Sequence, residues 1–271
     1  MNLHRLYQPL SAIFGQSDVY FELAPCSALA PYIRCFWGTA NARHRHDNGS
    51  LVIPDTCMDL IFEIDYTENR VRSHFCALDD AAYITAPVHS NALCATFGVR
   101  FYAWSAVCFA EDSLADSMRS VTDPRRFFPK LCRAIEPVLP DLPTLGARAR
   151  YTESVLMRLL QTDRLRPDVL NAIHAMIVHH GHVRMKDVAA AACLSERQME
   201  RILRTATGTP PKLMADLIRH QLVYRELVEG RFRPLDAVER FGYADQSHLI
   251  RDFRRFHSMT PMEALNLLRK R

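Results

Sequence analysis

The stretch PLDAVERFGYADQSHLIRDFRRFHSMTPMEAL, from Pro234 to Leu265, decides the fold of the C-terminal half of this chain. Its first apolar run, up to Phe241, predicts a short helix, and Gly242 predicts a turn because glycine readily adopts positive φ. Asp245 then predicts the cap of a second helix, which has one apolar face and one basic face. Two short helices joined by a tight turn are typical of a helix-turn-helix.

The same pattern occurs once more upstream, in VRMKDVAAAACLSERQMERILRTATGTPPK from Val183 to Lys212. Ser195 and Gln198 form a capping box, in which the hydroxyl accepts from a backbone amide and the glutamine reaches back. Apolar residues at the 3.6-residue spacing then predict a buried helix face, Met199, Ile202, Leu203 and Ala206. Residues 210–229 predict a helical spacer about 30 Å long, and successive major grooves on one face of B-DNA lie about 34 Å apart.

Residues 167–271 resemble the DNA-binding domain of the AraC/XylS family of bacterial transcription regulators. The second copy carries the motif of that family as Ala237, Phe241-Gly242-Tyr243, Asp245-Gln246-Ser247-His248, Arg251-Asp252-Phe253-Arg254-Arg255 and Thr260-Pro261. It departs from the motif at Leu249, Ile250 and His257, of which Ile250 offers the outward face only apolar contact, for instance to a thymine methyl group. The resemblance implies that one chain reads an asymmetric site through two adjacent major grooves.

Basic and amide side chains recur in both copies at the same offset from a cap and a turn, which an ordinary solvated helix face does not require. In the first copy we expect three residues to contact bases: Arg197, Glu200 and Arg201. Two more are expected to contact phosphates: Gln198 and Arg204. In the second copy we expect four residues to face bases: Gln246, Ser247, Ile250 and Arg251. Three others are expected mainly to position the helix on the DNA: His248, Arg254 and Arg255.

The charge of the chain is uneven along its length. The formal net charge is +4, yet residues 166–271 contain 18 Lys or Arg against 12 Asp or Glu, and residues 1–165 contain 16 against 18. The basic half is therefore the half with both helix-turn-helix copies, as attraction to phosphate requires. No apolar run near eighteen residues and no secretory signal pattern occur, so we expect a cytoplasmic protein that does not bind membranes.

Residues 31–101 change to short runs rich in β-branched and aromatic residues, and the last run alternates with a period of two from Leu93 to Phe101. Five or six such strands predict a small antiparallel barrel or sandwich. We expect a loosely ordered arm at 1–21 and helices at 102–110, 124–138 and 145–160. The resemblance implies a cupin-like barrel for effector binding or dimerisation, hence an α+β fold with domains 1–165 and 166–271.

Six aromatic residues are candidates for lining an effector pocket, although plain core is the simpler explanation for each: Trp37, Phe62, Phe75, Tyr83, Phe97 and Trp104. A barrel of this size holds one small molecule. His44 and His46 beside Asp47 form a His-x-His pattern that suits a divalent metal, but the adjacent arginines oppose a cation and favour a solvated loop. We expect no metal site.

Acidic residues also recur in the β-rich region, at Asp55, Asp59, Glu63 and Asp65. Two of them in one cleft would suit acid–base catalysis, but alternation equally produces the exposed face of a strand, which we favour. The eight cysteines include no C-x-x-C pair, so we interpret them as small core residues, with a redox or metal sensor as the alternative. Without a phosphate loop, nucleophile elbow or dinucleotide motif, we expect neither an enzyme nor a cofactor.

These observations predict a sequence-specific transcription regulator controlled by a small molecule in its N-terminal domain. Its expected partners are double-stranded operator or promoter DNA, the effector, RNA polymerase and a second copy of the chain. One alternative is a constitutive regulator whose first domain only dimerises. Another is a DNA-repair alkyl-transfer protein with this DNA-binding domain, although the zinc-bound cysteine cluster and Pro-Cys-His-Arg motif of such proteins do not occur.

Overall fold

The computed structural model describes residues 1–10, 20–39, 45–46, 51–84, 88–89 and 93–269. The α+β class is confirmed, because the described strands lie in the N-terminal half and the C-terminal half is helical. His44 and Asp47 of the candidate metal motif lie outside the described residues. Within the described residues, no helix is long and apolar enough to cross a membrane.

The strands of the described chain are β1 (Tyr20–Leu23), β2 (Ile33–Thr39), β3 (Arg45–His46), β4 (Leu51–Val52), β5 (Cys57–Asp65), β6 (Arg70–Cys76), β7 (Tyr83–Ile84), β8 (Val88–His89), β9 (Cys94–Tyr102) and β10 (Val121–Thr122). Six of them form one antiparallel sheet in the order β1-β2-β9-β5-β6-β10, and β3-β8 and β4-β7 form two-stranded ribbons. Among the described strands, β1 and β10 are therefore the edges of an open sheet.

One face of the sheet carries a stacked aromatic core. The period-two prediction for β9 is confirmed, because Ala95, Phe97, Val99 and Phe101 are buried. Phe97 lies opposite Phe62 in the β5–β9 register, with ring centroids 6.2 Å apart. Alternation places these rings on one side because successive strand residues point to opposite faces.

The helices of the described chain are α1 (Leu3–Leu6), α2 (Pro129–Ile135), α3 (Leu145–Leu159), α4 (Pro167–Val178), α5 (Met185–Ala191), α6 (Glu196–Thr207), α7 (Pro211–Val228), α8 (Pro234–Arg240), α9 (Gln246–His257) and α10 (Pro261–Arg269). The helices predicted at 145–160 and 210–229 occur within two residues of their predicted bounds. The left-handed residue that ends α9 is Ser258, with φ 58°, so His257 remains helical.

Residues 102–110 and the arm at 1–21 differ from their predictions. Residues 102–110 do not form a helix: β9 runs to Tyr102, and a 3-10 turn follows at Ala106–Cys108. This stretch is apolar on all sides, so periodicity could not separate strand from helix. The described part of the arm at 1–21 is not loose either, because Leu3 and Tyr7 are buried and the Tyr7 hydroxyl lies 3.2 Å from the Thr56 hydroxyl.

Helices of both halves share apolar cores. The larger core runs from the sheet through α4, α5 and α6 to Ile218 of α7 without interruption. A second core joins α7, α8 and α9, and it includes Ile53, which follows β4 in the N-terminal region. The helical half is therefore packed against the β-rich half over both of its helix-turn-helix units.

Candidate nucleic-acid interface

Two helix-turn-helix units are present, α5–α6 and α8–α9, and their caps follow the predicted chemistry. The Gln198 amide lies 3.3 Å from Ser195 Oγ, and the Ser195 amide donates to Gln198 Oε1 at 3.0 Å, which completes a capping box. Asp245 Oδ1 accepts from the His248 amide at 2.7 Å. Each cap satisfies an amide that the helix itself leaves unpaired, which sets where the helix begins.

The turn within each unit uses one residue in the left-handed region. Gly242 has φ 65° in the second unit, and Cys193 has φ 56° in the first. Glycine adopts this conformation readily, whereas cysteine does so at a cost. At Gly242, an added Cβ would also overlap the ring of His182, which lies between α4 and α5. The absence of a side chain at Gly242 therefore permits close contact between the second unit and the segment that precedes α5.

The outward face of α6 carries the predicted residues together. One open groove on the surface is lined by Ser195, Arg197, Gln198, Glu200, Arg201 and Arg204. The opposite face buries Met199, Ile202, Leu203 and Ala206, as the spacing predicts. Burial of one face leaves the other to present its cations and amides to a partner.

Two of these side chains have partners within α6. Glu200 Oε1 accepts from Nε and Nη2 of Arg204, both at 3.1 Å, across one helical turn. The side-chain oxygen of Gln198, Oε1, accepts a hydrogen bond from the Ser195 amide in the capping box. Arg197 and Arg201 are exposed, and the roles expected for all five residues stay predictions.

On α9, the outward residues are less uniform than predicted. Gln246, Ser247, Arg251 and Arg254 are exposed. His248 is half-buried: its ring packs edge-on against Tyr243 with centroids 5.2 Å apart, and its Nδ1 accepts from the Ala244 amide at 3.2 Å. Ile250 is half-buried against the second core. Its expected contact with a thymine methyl would therefore come from the part of the side chain that remains exposed.

Arg255 of α9 faces acidic residues of the chain itself. Its Nη2 lies 3.9 Å from Asp80 Oδ2, in the N-terminal region, and its Nη1 lies 3.8 Å from Asp216 Oδ2 of α7. Asp80 is also paired with Arg119. The adjacent guanidinium groups lower the pKa of Asp80, chiefly through the hydrogen bond from Arg119. A carboxylate of the N-terminal region thus lies beside Arg255, whose contact with DNA stays a prediction.

A buried ionic network joins α7 to α9, and our sequence analysis missed it. Arg219 Nη2 donates to Asp252 Oδ2 at 2.8 Å and approaches Asp216 Oδ1 at 3.4 Å. Its guanidinium carbon also lies 4.5 Å from the centroid of the Tyr243 ring. Asp252 and Tyr243 belong to the motif quoted above, but nothing in a single sequence identifies Arg219 as their partner.

The six effector-pocket candidates do not lie on one surface. Phe62, Phe75, Phe97 and Trp104 are fully buried in the larger core. Phe75 packs on Phe128 with ring centroids 4.9 Å apart, so other side chains contact these rings. Trp37 and Tyr83 are more exposed. The hypothesis that all six line one pocket is therefore not supported by their placement.

A polar cluster on the other face of the sheet was not predicted. Trp37 Nε1 donates to Asp59 Oδ1 at 2.8 Å, and Arg100 Nη2 donates to Asp59 Oδ2 at the same distance. Arg100 Nη1 lies 3.6 Å from Asp55 Oδ2. Burial raises the pKa of Asp55 to about 6, although Arg100 opposes the shift. Asp55 and Asp59 are thus structural partners of one arginine rather than members of an exposed strand face.

Comparison with protein families gives two matches on this chain. Residues 188–266 match the family described as "Helix-turn-helix domain". Residues 21–122 match the family described as "Domain of unknown function (DUF6597)". No curated protein matches the chain.

Solved structures similar to this chain include several of ToxT from Vibrio cholerae. An apo variant from strain SCE256 has a TM-score of 0.44 at 10% identity, covering 86% of this chain and 97% of that chain. A structure at 1.65 Å has a TM-score of 0.43 at 9% identity, covering 92% and 99%. A form with bound unsaturated fatty acid has a TM-score of 0.40 at 9% identity, covering 92% and 95%. At TM-scores this low, the likeness assigns no ligand to this chain.

Proposed function

We propose that this chain is a regulator of the AraC/XylS family that reads a specific operator with α6 and α9, since residues 188–266 match a helix-turn-helix family. The observation that carries this proposal is the pair of capped helices with exposed cations, above all Arg201 and Arg251. A planar guanidinium on an exposed helix can contact guanine O6 and N7 together. Both helices belong to one chain, so a monomer has the means to contact two grooves.

We further propose that residues 1–165 regulate DNA binding by residues 166–271. The contacts that support this are direct: the Leu114 amide donates to the Thr205 carbonyl near the end of α6 at 3.0 Å, and Asp80 approaches Arg255 of α9. A ligand changes an equilibrium only if it binds two states unequally. An effector that alters these contacts would therefore alter the presentation of both reading helices.

Selection of sites from a random duplex library, using the full-length chain, tests the proposal. We expect one selected sequence to bind far better than a scrambled duplex, with affinity falling steeply as salt rises, because phosphate contacts release counterions. Absence of sequence preference at every salt concentration would contradict the proposal. The full chain is used because the larger core contains residues from both 1–165 and 166–271. A fragment of residues 166–271 alone would expose apolar surface.

Arginine substitutions test the named side chains. Arg201→Ala and Arg251→Ala should each relax the preference at particular base pairs by about 1 to 3 kcal/mol. Arg158→Ala, on the exposed face of α3, is the matched control and should change no preference. A uniform loss for all sequences would identify Arg201 or Arg251 as a phosphate contact instead.

Two alternatives from the sequence can be weighed against the described residues. A constitutive regulator has the same DNA contacts, and a thermal-shift screen separates it, because an effector raises the apparent stability of the state that binds it. The alkyl-transfer alternative needs an activated thiol, since the thiolate is the nucleophile. Burial raises the pKa of Cys35, Cys108 and Cys132 to about 12, which disfavours those thiols for this role.

A further inference from the structure

Arg219 of α7 lies between the loop that links α4 to α5 and the second helix-turn-helix unit. On one side, a Cβ built on Gly181, between α4 and α5, would lie 2.7 Å from Arg219 Cβ and 2.8 Å from its amide nitrogen. On the other side, its guanidinium reaches Tyr243 and Asp252 of the second unit. The side chain is only 7% exposed. Arg219 thus lies against the segment that leads into the first unit and contacts the second unit directly.

The chemistry of this position is unusual for a purely stabilising contact. Nε of Arg219 has no hydrogen-bond partner in the described structure, and desolvating an ion pair generally offsets much of its attraction. Apolar residues of similar volume would stabilise such a junction at least as well. A buried ion pair is best attested as a device that selects one arrangement over near alternatives.

The geometry at Arg219 restricts α9 in two ways. The bond to Asp252 ties the guanidinium to the body of α9, and stacking on Tyr243 ties the same planar group to the residues that precede α9. Apolar packing of Phe253 in the second core also holds α9 against α7, and the two contacts of Arg219 add directional restraint to it. Lysine provides charge but neither the planar stacking surface nor the fork of donors. The two contacts therefore depend specifically on arginine.

We propose that Arg219 is a positioning residue that fixes α9 relative to α6 and so sets the spacing between the two half-sites that the chain accepts. The inference rests on the proposed function, since half-site spacing has meaning only for a chain that reads DNA with both helices. Arg219 touches no base or phosphate in this role. It acts through Asp252 and Tyr243.

The test uses the full-length chain and its selected operator, with one or two base pairs inserted or deleted between the half-sites. We expect the wild type to prefer one spacing, because added base pairs rotate and displace one major groove relative to the other. In Arg219→Lys and Asp252→Asn, we expect the affinity at neighbouring spacings to approach the affinity at the best spacing. Base preference within each half-site should not change.

Arg225→Lys is the matched control, since that side chain lies on the same helix but bonds the Gln8 carbonyl in the N-terminal region. It should keep the wild-type spacing preference. A merely structural role for Arg219 would lower affinity equally at all spacings, in parallel with thermal stability, and that result would overturn the inference. A wild type indifferent to spacing would overturn it also, whereas a wild type without any specific site would overturn the proposed function itself.

Discussion

The side-chain amide of Gln221 in α7 donates to the backbone carbonyl of Pro54, with nitrogen and oxygen 3.1 Å apart. Its carbonyl oxygen accepts from the Leu10 amide at 2.8 Å. The helix that connects the two helix-turn-helix units is therefore hydrogen-bonded to two segments of the N-terminal region. Asp55, the residue after Pro54, faces Arg100 of the sheet. The polar cluster of the sheet thus lies one residue from a contact with the connecting helix.

Replacing Gln221 should destabilise the whole chain. Gln221→Leu would leave a carbonyl and an amide without partners in a buried region, and such groups cost about 1 to 3 kcal/mol. Urea denaturation should show this loss as a lower midpoint with an unchanged slope. Gln161→Leu makes the same change at an exposed position and should leave the midpoint nearly unaltered. Equal midpoints for Gln221→Leu and the wild type would contradict the prediction.

Removing the Asp80 charge should strengthen DNA binding. Asp80→Asn removes one of the two carboxylates near Arg255, Asp216 being the other, so Arg255 becomes more available to a phosphate. We expect higher affinity and a salt slope steeper by about one, the contribution of one added phosphate contact. Arg255→Ala should abolish the gain when combined with Asp80→Asn. Asp116→Asn carries the same charge change at an exposed position, and an equal gain there would show that net charge alone acts.

Acid should destabilise the packing between α7 and α9. His220 and His257 are buried there with ring centroids 5.5 Å apart, and burial lowers the pKa of His257 to about 4 and that of His220 well below its usual value. The unfolded chain takes up these protons near pH 6.5. Stability is therefore complete above about pH 6.5 and falls as pH drops towards 4, by about 3 kcal/mol from His257 alone.

Urea unfolding at a series of pH values measures this effect. His257→Phe should flatten the loss below pH 6.5, because the ring stays but no proton is taken up. His179→Phe, at an exposed position, should keep the wild-type dependence. Asp55 titrates in the same range with the opposite sign, so the difference between variant and wild type isolates the histidine. Parallel curves for His257→Phe and the wild type would exclude this origin of acid sensitivity.

Glycine substitutions should separate close packing from backbone freedom. A Cβ at Gly98 would overlap the Trp37 ring, which donates to Asp59. Gly98→Ala should therefore lower the free energy of unfolding by about 1 to 3 kcal/mol, as overpacking does. Gly146→Ala lies in α3, with the nearest atom 3.3 Å away, and should be neutral or slightly stabilising because alanine favours helix. A thermal melt of both variants decides the point, and equal melting temperatures would refute it.

Local signals predicted the helices of the DNA-reading half closely. Ser195 and Asp245 cap the helices that were expected to begin there, and Pro211 and Pro261 open the next ones. Each signal acts within one helical turn, so its effect depends little on distant residues. In the β-rich half, strand alternation is equally local. It correctly placed Phe97 and the alternate residues of β9 on the buried face.

The roles of individual side chains were less accessible. Arg255 lies near Asp80 of the N-terminal region, so its expected contact with DNA stays a prediction, and the pocket candidates Phe62 and Phe75 lie in the core. Residues 102–110 were wrongly predicted to be helical. The error arose because a stretch that is apolar on all sides has no period that distinguishes a helix from a strand. In each case the deciding partner is distant in sequence.

Sequence alone determined that this chain has two capped, basic helix-turn-helix units behind a strand-rich region, because propensity, capping and periodicity are properties of neighbouring residues. Only the tertiary structure decided which groups are free to meet DNA and which are held by the chain itself. Arg219 with Asp252 and Gln221 with Pro54 are pairs of this second kind. Such pairs form when distant segments pack into shared cores. A polar group that becomes buried must be hydrogen-bonded, and its partner can belong to any segment that the fold brings near.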